Sequence, residues 1–301
     1  MQKTKKKLTR ATIEKWIFIL CFLLPPLITL IFNWIICSIE SAMMAFQTFD
    51  GKWTIKNFTD FYSDLFSKSG GATEALRNTA LFYCFNTFLM MPLNYLLSYF
   101  IYKKIAGYKV FRTIFFLPSI IPGVAMTLAF KEFIKPWGPL GNIMEAMGKK
   151  IPEAGLLETE GTALLMVFIY CFVTGLPGSF MIQVGTMNRI PDSCLEAAKL
   201  DGCTTFREFR SIVVPLMMPL ILLTLLTGVT GFFGASGPLL LLTNGNAGTM
   251  TISYWITKKI LFEGASAYNI TAAANLALGL LILPVSLVVR KLMVKLPPVE
   301  F

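Results

Sequence analysis

Six runs of residues, at about 13–37, 79–102, 113–134, 161–186, 212–235 and 270–293, stay apolar on successive positions and hold few charges. A hydrocarbon layer roughly 30 Å thick is crossed by a helix of about 20 mainly apolar residues, so each run is long enough to be a membrane span. A membrane barrel would instead need segments of about ten residues with alternating polarity, and these runs do not alternate. Composition agrees, because 55% of the 301 residues are hydrophobic and only 15% are charged. That balance lies outside the range of ordinary soluble domains. The expected fold class is all-α: one polytopic membrane domain, residues 1–301, with six transmembrane helices. Pro25, Pro26, Pro92, Pro118, Pro122, Pro177 and Pro284 fall in or beside the runs. They are expected to kink helices wherever neighbouring groups satisfy the freed carbonyls.

Basic residues set the expected orientation, since cytoplasmic loops carry an excess of Lys and Arg. With the amino terminus inside, the inner segments and span edges hold 17 Lys and Arg against 10 outside, while acidic residues divide 6 to 11. Both termini are therefore expected in the cytoplasm. The stretch Met1-Gln2-Lys3-Thr4-Lys5-Lys6-Lys7 imitates the start of a secretory signal, but the apolar run behind it is too long and no small-residue cleavage pattern follows. An uncleaved first span is expected. The net charge of +10 sits beside the spans, where it holds topology and meets anionic headgroups of membrane lipid, and no nucleic acid is expected as a partner.

Several chemistries find no support. Histidine is absent, and none of the six cysteines forms a C-x-x-C pair. Cys194 and Cys203 fall in a cytoplasmic loop, where thiols stay reduced, so structural disulfides are not expected. Acidic residues touch the apolar cores only at their edges, at Glu14 and Glu132, which leaves a proton-driven carrier without its relay. No paired carboxylates, metal cluster or nucleophile–base set converges for a membrane enzyme. There is no nucleotide-binding glycine loop either, so ATP would have to be hydrolysed by another chain. No catalytic residue, cofactor site or metal ligand is expected. A transporter, a channel and a membrane scaffold all stay open on these grounds.

Between the fourth and fifth runs, residues 187–211 interrupt the apolar pattern. Ser193 and Glu196 have the S-x-x-E spacing of a capping box, Gly202 suits a left-handed helix stop, and Thr205 with Glu208 repeats the capping spacing. The stretch reads as two short capped helices joined by a glycine turn, an inner knob suited to a soluble partner. The outer segments 38–78 and 135–160 are too short for folded domains, although Lys56–Tyr62 and Ile151-Pro152-Glu153 suit small helices or turns.

The run Glu196-Ala197-Ala198-Lys199-Leu200-Asp201-Gly202 is preceded by Arg189-Ile190-Pro191-Asp192 and followed by Phe206, Phe209, Ile212, Pro215 and Pro219. It resembles the signature loop of permease subunits in bacterial ATP-binding cassette importers. Arg77-Asn78-Thr79, Phe111-Arg112-Thr113 with Leu117-Pro118, and Leu242-Thr243-Asn244-Gly245 extend the likeness to the carbohydrate and glycerol-phosphate branch, of maltose type. The ending from Val289-Arg290-Lys291 through Phe301 lacks a glycine-rich tail and is similar to the first of the two permease types that pair.

The resemblance implies a type I importer permease fold in a bacterial cytoplasmic membrane and ATP-driven, binding-protein-dependent import of carbohydrate. Implied partners are a sister permease in a heterodimer, two ATP-binding subunits that hold ATP and Mg, an extracellular substrate-binding protein, and membrane lipid. Glu196, Ala197, Ala198, Asp201, Gly202, Phe206, Arg207 and Phe209 would couple to the ATPase. Glu196 and Arg207 would make charged contacts, while Phe206 and Phe209 would either meet the partner or pack beneath the loop. Ser119, Gly123, Cys171, Thr174, Gly175, Gly231, Phe232, Phe233 and Ser236 would line the solute path. Gly234 and Ala235 stand where relatives often carry amides, which implies a roomier cavity. The lack of buried charge favours a neutral oligosaccharide, with glycerol-phosphate or another small polar solute as the alternative.

Overall fold

The computed structural model describes residues 10–66, 72–149, 151–234 and 237–294. Those residues are mostly helical, with one isolated β-bridge between Gln47 and Trp53 and no β-strand among them. Among the described residues, four helices are long and apolar enough to cross a membrane: Glu14–Ala45, Thr73–Tyr102, Ala163–Met187 and Ile252–Met293. Two bent helix pairs, Tyr108–Ile120 with Gly123–Ala146 and Thr205–Leu216 with Met218–Thr230, raise the number to six if each pair is one span. In chain order these six follow the six apolar runs, and they are called here the first to sixth spans. The basic segment Met1–Thr9 and the chain from Lys295 onward lie outside the described residues.

Proline explains the largest departure from straight spans. The run 113–134 breaks into two helices that meet at 102°. Ile121 and Pro122 are extended there, with ψ of 132° and 130°. The ring of Pro122 pushes the residue before it out of the helical region, and Pro118 has no N–H to bond its own turn. The fifth span bends by 69° at Met217, between Pro215 and Pro219. It also starts at Thr205 rather than near 212, so the second helix of the knob at 187–211 is the beginning of the span itself. The sixth starts at Ile252 rather than 270. Pro284 lies within the unbroken helix Tyr268–Val294, and Pro25 and Pro26 lie within Arg10–Thr29. There the Thr29 hydroxyl donates to the Pro25 carbonyl at 3.0 Å, just before a π-helical stretch, Leu30–Ile36.

The exposed faces of these helices are apolar. Trp16, Phe22, Leu280 and Val288 are each more than half exposed, and the most apolar stretch of the first span buries no residue within the chain. Water would not tolerate so broad an apolar surface, whereas lipid or another spanning chain covers it without cost.

Two compact units make up the chain, Met1–Tyr62 with Glu263–Ala277, and Ser63–Phe262 with Leu278–Phe301. In the first, small residues Ala45, Ala272 and Ala273 allow close helix approach, with Phe58 and Leu276 packed against them. The buried Asn57 amide donates to the carbonyls of Ala45 and Gln47 at 3.0 and 2.8 Å. Asn57 belongs to the helix Lys56–Phe66, which bears out the small helix expected near Lys56.

Among the described residues the second unit has two apolar cores. One joins Phe82, Ile134, Leu157, Val167, Tyr170, Leu239, Leu242 and Tyr254, and the other joins Tyr95, Tyr99, Met187, Ile190, Leu195, Val213 and Met217. A buried hydrogen bond from Ser98 to Gln183, 2.7 Å, ties the second span to the fourth. Asn78 and Thr79 are fully buried. The Asn78 amide donates to the carbonyls of Gly248 and Met250, both at 2.8 Å, and the Thr79 hydroxyl accepts from the Ile252 N–H at 3.1 Å. The Arg-Asn-Thr motif thus fixes the start of the sixth span against the second.

A tight approach occurs where the helix Pro139–Ala146 turns back on the third span. A Cβ at Gly141 would lie 1.8 Å from the Pro136 carbonyl oxygen, while one at Gly185 would meet nothing within 4 Å. Gly141→Ala is expected to cost roughly 1–3 kcal/mol through backbone displacement, and Gly185→Ala to be neutral or slightly stabilising. Thermal unfolding of the detergent-purified protein checks the pair: a lowered midpoint for the first only is the expected result.

Candidate functional site

The knob, residues 187–211, is built as a helix, a glycine stop and the start of the fifth span. Its helix runs Asp192–Leu200 and begins after Pro191, with no side-chain cap bond. The expected capping box of Ser193 and Glu196 does not form, because the helix starts before Ser193. The Asp192 carboxylate instead occupies the first turn, where the helix dipole favours a negative charge. At the other end the Cys203 N–H bonds to the Ala198 carbonyl at 2.9 Å and the Gly202 N–H to that of Lys199 at 3.1 Å. This is a Schellman closure, and Gly202 has the left-handed φ of +68° that the closure requires. A Cβ there would meet nothing within 4 Å, so glycine serves the backbone conformation and not a close contact.

The second capping signal fails in a more informative way. Thr204, not Thr205, precedes the helix Thr205–Glu208, again with no side-chain cap bond. Glu208 turns inward and is only 3% exposed. Its carboxylate receives Lys103 Nζ at 2.8 and 3.0 Å and the Tyr99 hydroxyl at 3.1 Å. Tyr99 and Lys103 stand at the end of the second span, so a buried ion pair joins that end to the knob. Sequence spacing had marked Glu208 as a cap, and only the fold brings in its partners, more than 100 residues away.

The other knob residues separate into covered and bare. Ala198 is buried, while Glu196, Ala197, Asp201, Phe206 and Arg207 are exposed. Phe209 packs on Tyr99 with ring centroids 4.9 Å apart, which answers the question left open for it: it lies beneath the knob. Phe206 is 69% exposed, and Leu200 is 89% exposed, the barest large apolar side chain among the described residues.

The expected solute-path residues gather only in part. The Gly123 carbonyl accepts the Thr127 hydroxyl at 2.7 Å, and the Thr127 and Tyr170 hydroxyls are 2.7 Å apart, which joins the broken third span to the fourth. Cys171 follows Tyr170 and packs against the same core. The Thr174 hydroxyl donates to the Tyr170 carbonyl at 2.8 Å. At Gly175 a Cβ would lie 3.1 Å from the Met90 methyl, so glycine lets Met90 close in. Gly231 ends the helix Met218–Thr230. Phe232 rests on Tyr83, centroids 5.1 Å apart, and meets Phe233 edge-on at 4.9 Å. Ser119 is exposed, its hydroxyl donates to the Phe116 carbonyl at 2.6 Å, and it bonds to none of the other path residues among those described. Ser236 and Ala235 lie outside the described residues. Tyr83, Thr127 and Tyr170 connect this set without having been singled out from the sequence. Hydroxyl groups inside apolar runs were the available signal, because a buried hydroxyl needs a partner.

Broken apolar helices, a polar joint under a polar knob and hydroxyl-bearing aromatics between spans define a polytopic helical membrane protein. Residues 76–298 match the family described as "Binding-protein-dependent transport system inner membrane component". The chain belongs to that family, and is accordingly a multi-pass membrane component of a transport system. It is 24% identical over 214 residues to the lactose transport system permease protein LacF of Rhizobium radiobacter, covering 69% of this chain and 72% of that one. It is 25% identical over 255 residues to the galactooligosaccharides transport system permease protein GanP of Bacillus subtilis (strain 168), covering 81% of this chain and 58% of GanP's length. The fold matches a chain from the crystal structure of a bacterial ABC transporter that imports the acidic polysaccharide alginate. That match has a TM-score of 0.81 and 19% identity, over 95% of this chain and 98% of the other. The all-helical importer permease fold is therefore the observed one.

Removing one partner of the buried Glu208–Lys103 pair leaves the other charge uncompensated, at a cost of about 3–5 kcal/mol. Glu208→Gln and Lys103→Met are each expected to lower the thermal midpoint strongly, and the double variant to recover part of the loss. Strict additivity in that double-mutant cycle would contradict the pair as drawn.

Proposed function

We propose that this chain is the transmembrane permease of an ATP-driven, binding-protein-dependent importer of neutral oligosaccharide. The observation that carries the reading is the knob: Leu200 and Phe206 stand bare on either side of a glycine stop, on a segment anchored from below by Glu208, Phe209 and Leu195. Apolar groups exposed outside the spans suit a soluble partner, and a rigid anchor lets that partner move the spans. The whole of residues 1–301 acts as one permease domain, with both termini and the knob in the cytoplasm. A sister permease completes a heterodimer, two ATP-binding subunits dock at the two knobs and hold ATP and Mg, and an extracellular binding protein delivers solute. This chain itself holds no cofactor. The sugar names of LacF and GanP support carbohydrate as cargo.

Alternating access follows if ATP-driven closure and the loaded binding protein both favour the outward-facing state, because a ligand with equal affinity for both states shifts neither. Glu196, Asp201 and Arg207 offer charged contacts around the apolar pair. Ala197 allows close approach, and Ala198, which is buried, seats the helix on the core. The solute would pass the third, fourth and fifth spans near Gly123, Cys171, Thr174, Gly175, Gly231, Phe232 and Phe233, with Ser119 and Ser236 as further lining groups. Rings and small polar groups suit the C–H faces and hydroxyls of sugars.

Purification of the native assembly should yield a second permease and an ATPase, with hydrolysis stimulated by sugar-loaded binding protein. A lone chain without ATPase would overturn the reading. Gly202→Val forces a β-branched residue to a left-handed φ and is expected to separate hydrolysis from uptake, whereas Gly202→Asn, which tolerates that φ, should keep both. Uptake by the valine variant at the wild-type rate would contradict the role given to the glycine stop.

A further inference from the structure

The Leu242-Thr243-Asn244-Gly245 motif has no part in the knob or in the path. It forms one wall of an open cavity of about 490 Å³ at the end of the third span, on the outer side by the orientation proposed above. That volume lies in the usual range for small-molecule sites, roughly 300–1,000 Å³. We propose that this cavity is a saccharide subsite of this chain, holding neutral sugar units on their way from the binding protein into the spans. The proposal rests on the transport reading for its role and on the cavity's own residues for its chemistry.

Trp137 supplies an apolar face. It is 72% exposed, and Lys135 Nζ stands over the ring 5.5 Å from its centroid, so most of the indole is uncovered and free to take the C–H face of a sugar ring. Lys131 supplies donors. Its ammonium bonds to the Leu241 carbonyl at 3.1 Å and has no carboxylate partner among the described residues, which leaves further N–H groups for hydroxyl oxygens.

Asn244 is held in a left-handed conformation, φ +52°, uncommon for any residue but glycine. Its side-chain oxygen accepts the Tyr254 hydroxyl, so the amide NH2 is left to donate. The loop around it is rigid, with the Thr243 and Thr249 hydroxyls 2.6 Å apart. Gly245 is pressed so closely on Tyr254 that a Cβ would lie 2.7 Å from the ring. Backbone held in an uncommon conformation by tight packing is a sign of preorganisation for a ligand.

Glu153 and Glu158 also line the cavity and can accept from sugar hydroxyls. Among the described residues the lining carries two lysines and two glutamates, and Lys135 is already paired with Glu132 at 2.5 Å, so no excess positive charge is left for a phosphate or uronate and neutral sugars are favoured.

The test uses the complete assembly in lipid nanodiscs, labelled with 5-fluorotryptophan, with the Trp137 resonance assigned by its loss in Trp137→Phe. Millimolar lactose or maltotriose should move that resonance saturably, and an alginate trisaccharide should move it less. Asn244→Gly, which keeps the left-handed backbone, and Lys131→Met should each weaken sugar affinity at least about threefold. The proposal is overturned if neutral sugars leave the resonance still, if both variants bind as wild type does, or if the alginate trisaccharide binds more tightly. It is equally overturned if only sugar-free binding protein moves the signal, which would make the cavity a docking surface. Hydrolysis in the same sample reports on transport separately. A stimulated ATPase with a silent Trp137 ends the subsite alone, and a responsive Trp137 with an unstimulated ATPase ends the transport reading alone.

Discussion

Hydrocarbon cannot hydrogen-bond a peptide group, and every feature of this fold works within that prohibition. Helices satisfy their own backbone, so a span can be interrupted only where protein supplies the missing partners. Among the described residues there are two sharp breaks within spans, at Ile121–Pro122 and at Met217. Just past the first, the Gly123 carbonyl takes the Thr127 hydroxyl and lies 3.5 Å from that of Tyr170, so the third and fourth spans meet beside the break. At the second, Met217 is buried in a core shared with Tyr95, Tyr99 and Met187. The breaks thus fall where the third, fourth and fifth spans are already tied together, and those are the spans proposed to face the solute.

The same economy governs the joint beneath the knob. A carboxylate as buried as Glu208 is costly unless it is paired and fully hydrogen-bonded, and here it has both an ammonium and a phenol. Such a pair has little tolerance for sliding, because separating the charges exposes the full desolvation cost. Tyr99 reinforces this, because its single O–H is shared between the Glu208 carboxylate and the Thr205 carbonyl, each 3.1 Å away. Displacement of the knob is therefore passed to the second span and, through the continuous chain from Thr205, to the fifth, rather than absorbed in the loop. The Schellman turn at Gly202 adds a second rigid element.

Much of this was legible in the sequence, for reasons that differ by residue. Apolar runs report spans directly, because length and polarity are all the bilayer asks, and the six runs matched six helices or helix pairs. Gly202 was legible because a helix stop is local chemistry. Ser193 and Glu208 were misread because a capping spacing is also local, and whether it is used depends on where the chain enters the helix and on what waits inside. Pro191 sets the entry one residue before Asp192, and Lys103 waits for Glu208. The 102° break needed Pro122 to be read for its effect on Ile121, not as a simple kink.

Path residues were least legible, since a glycine or threonine inside an apolar run has the same appearance whether it lines a channel or lets a neighbour close in. Gly175 does the second for Met90, and Tyr170, unremarked in the sequence, bonds across two spans. Distant motifs, in contrast, gained meaning in pairs. Asn78 holds the carbonyls of Gly248 and Met250, next to the loop that Asn244 and Gly245 build. The Arg-Asn-Thr and Leu-Thr-Asn-Gly motifs therefore act as one device: the first clamps the chain that leaves the loop, and the second holds the loop in a conformation ordinary side chains avoid. The loop beside the broken third span is thus held from both sides, by Asn78 on the chain that leaves it and by Tyr254 on Asn244 within it.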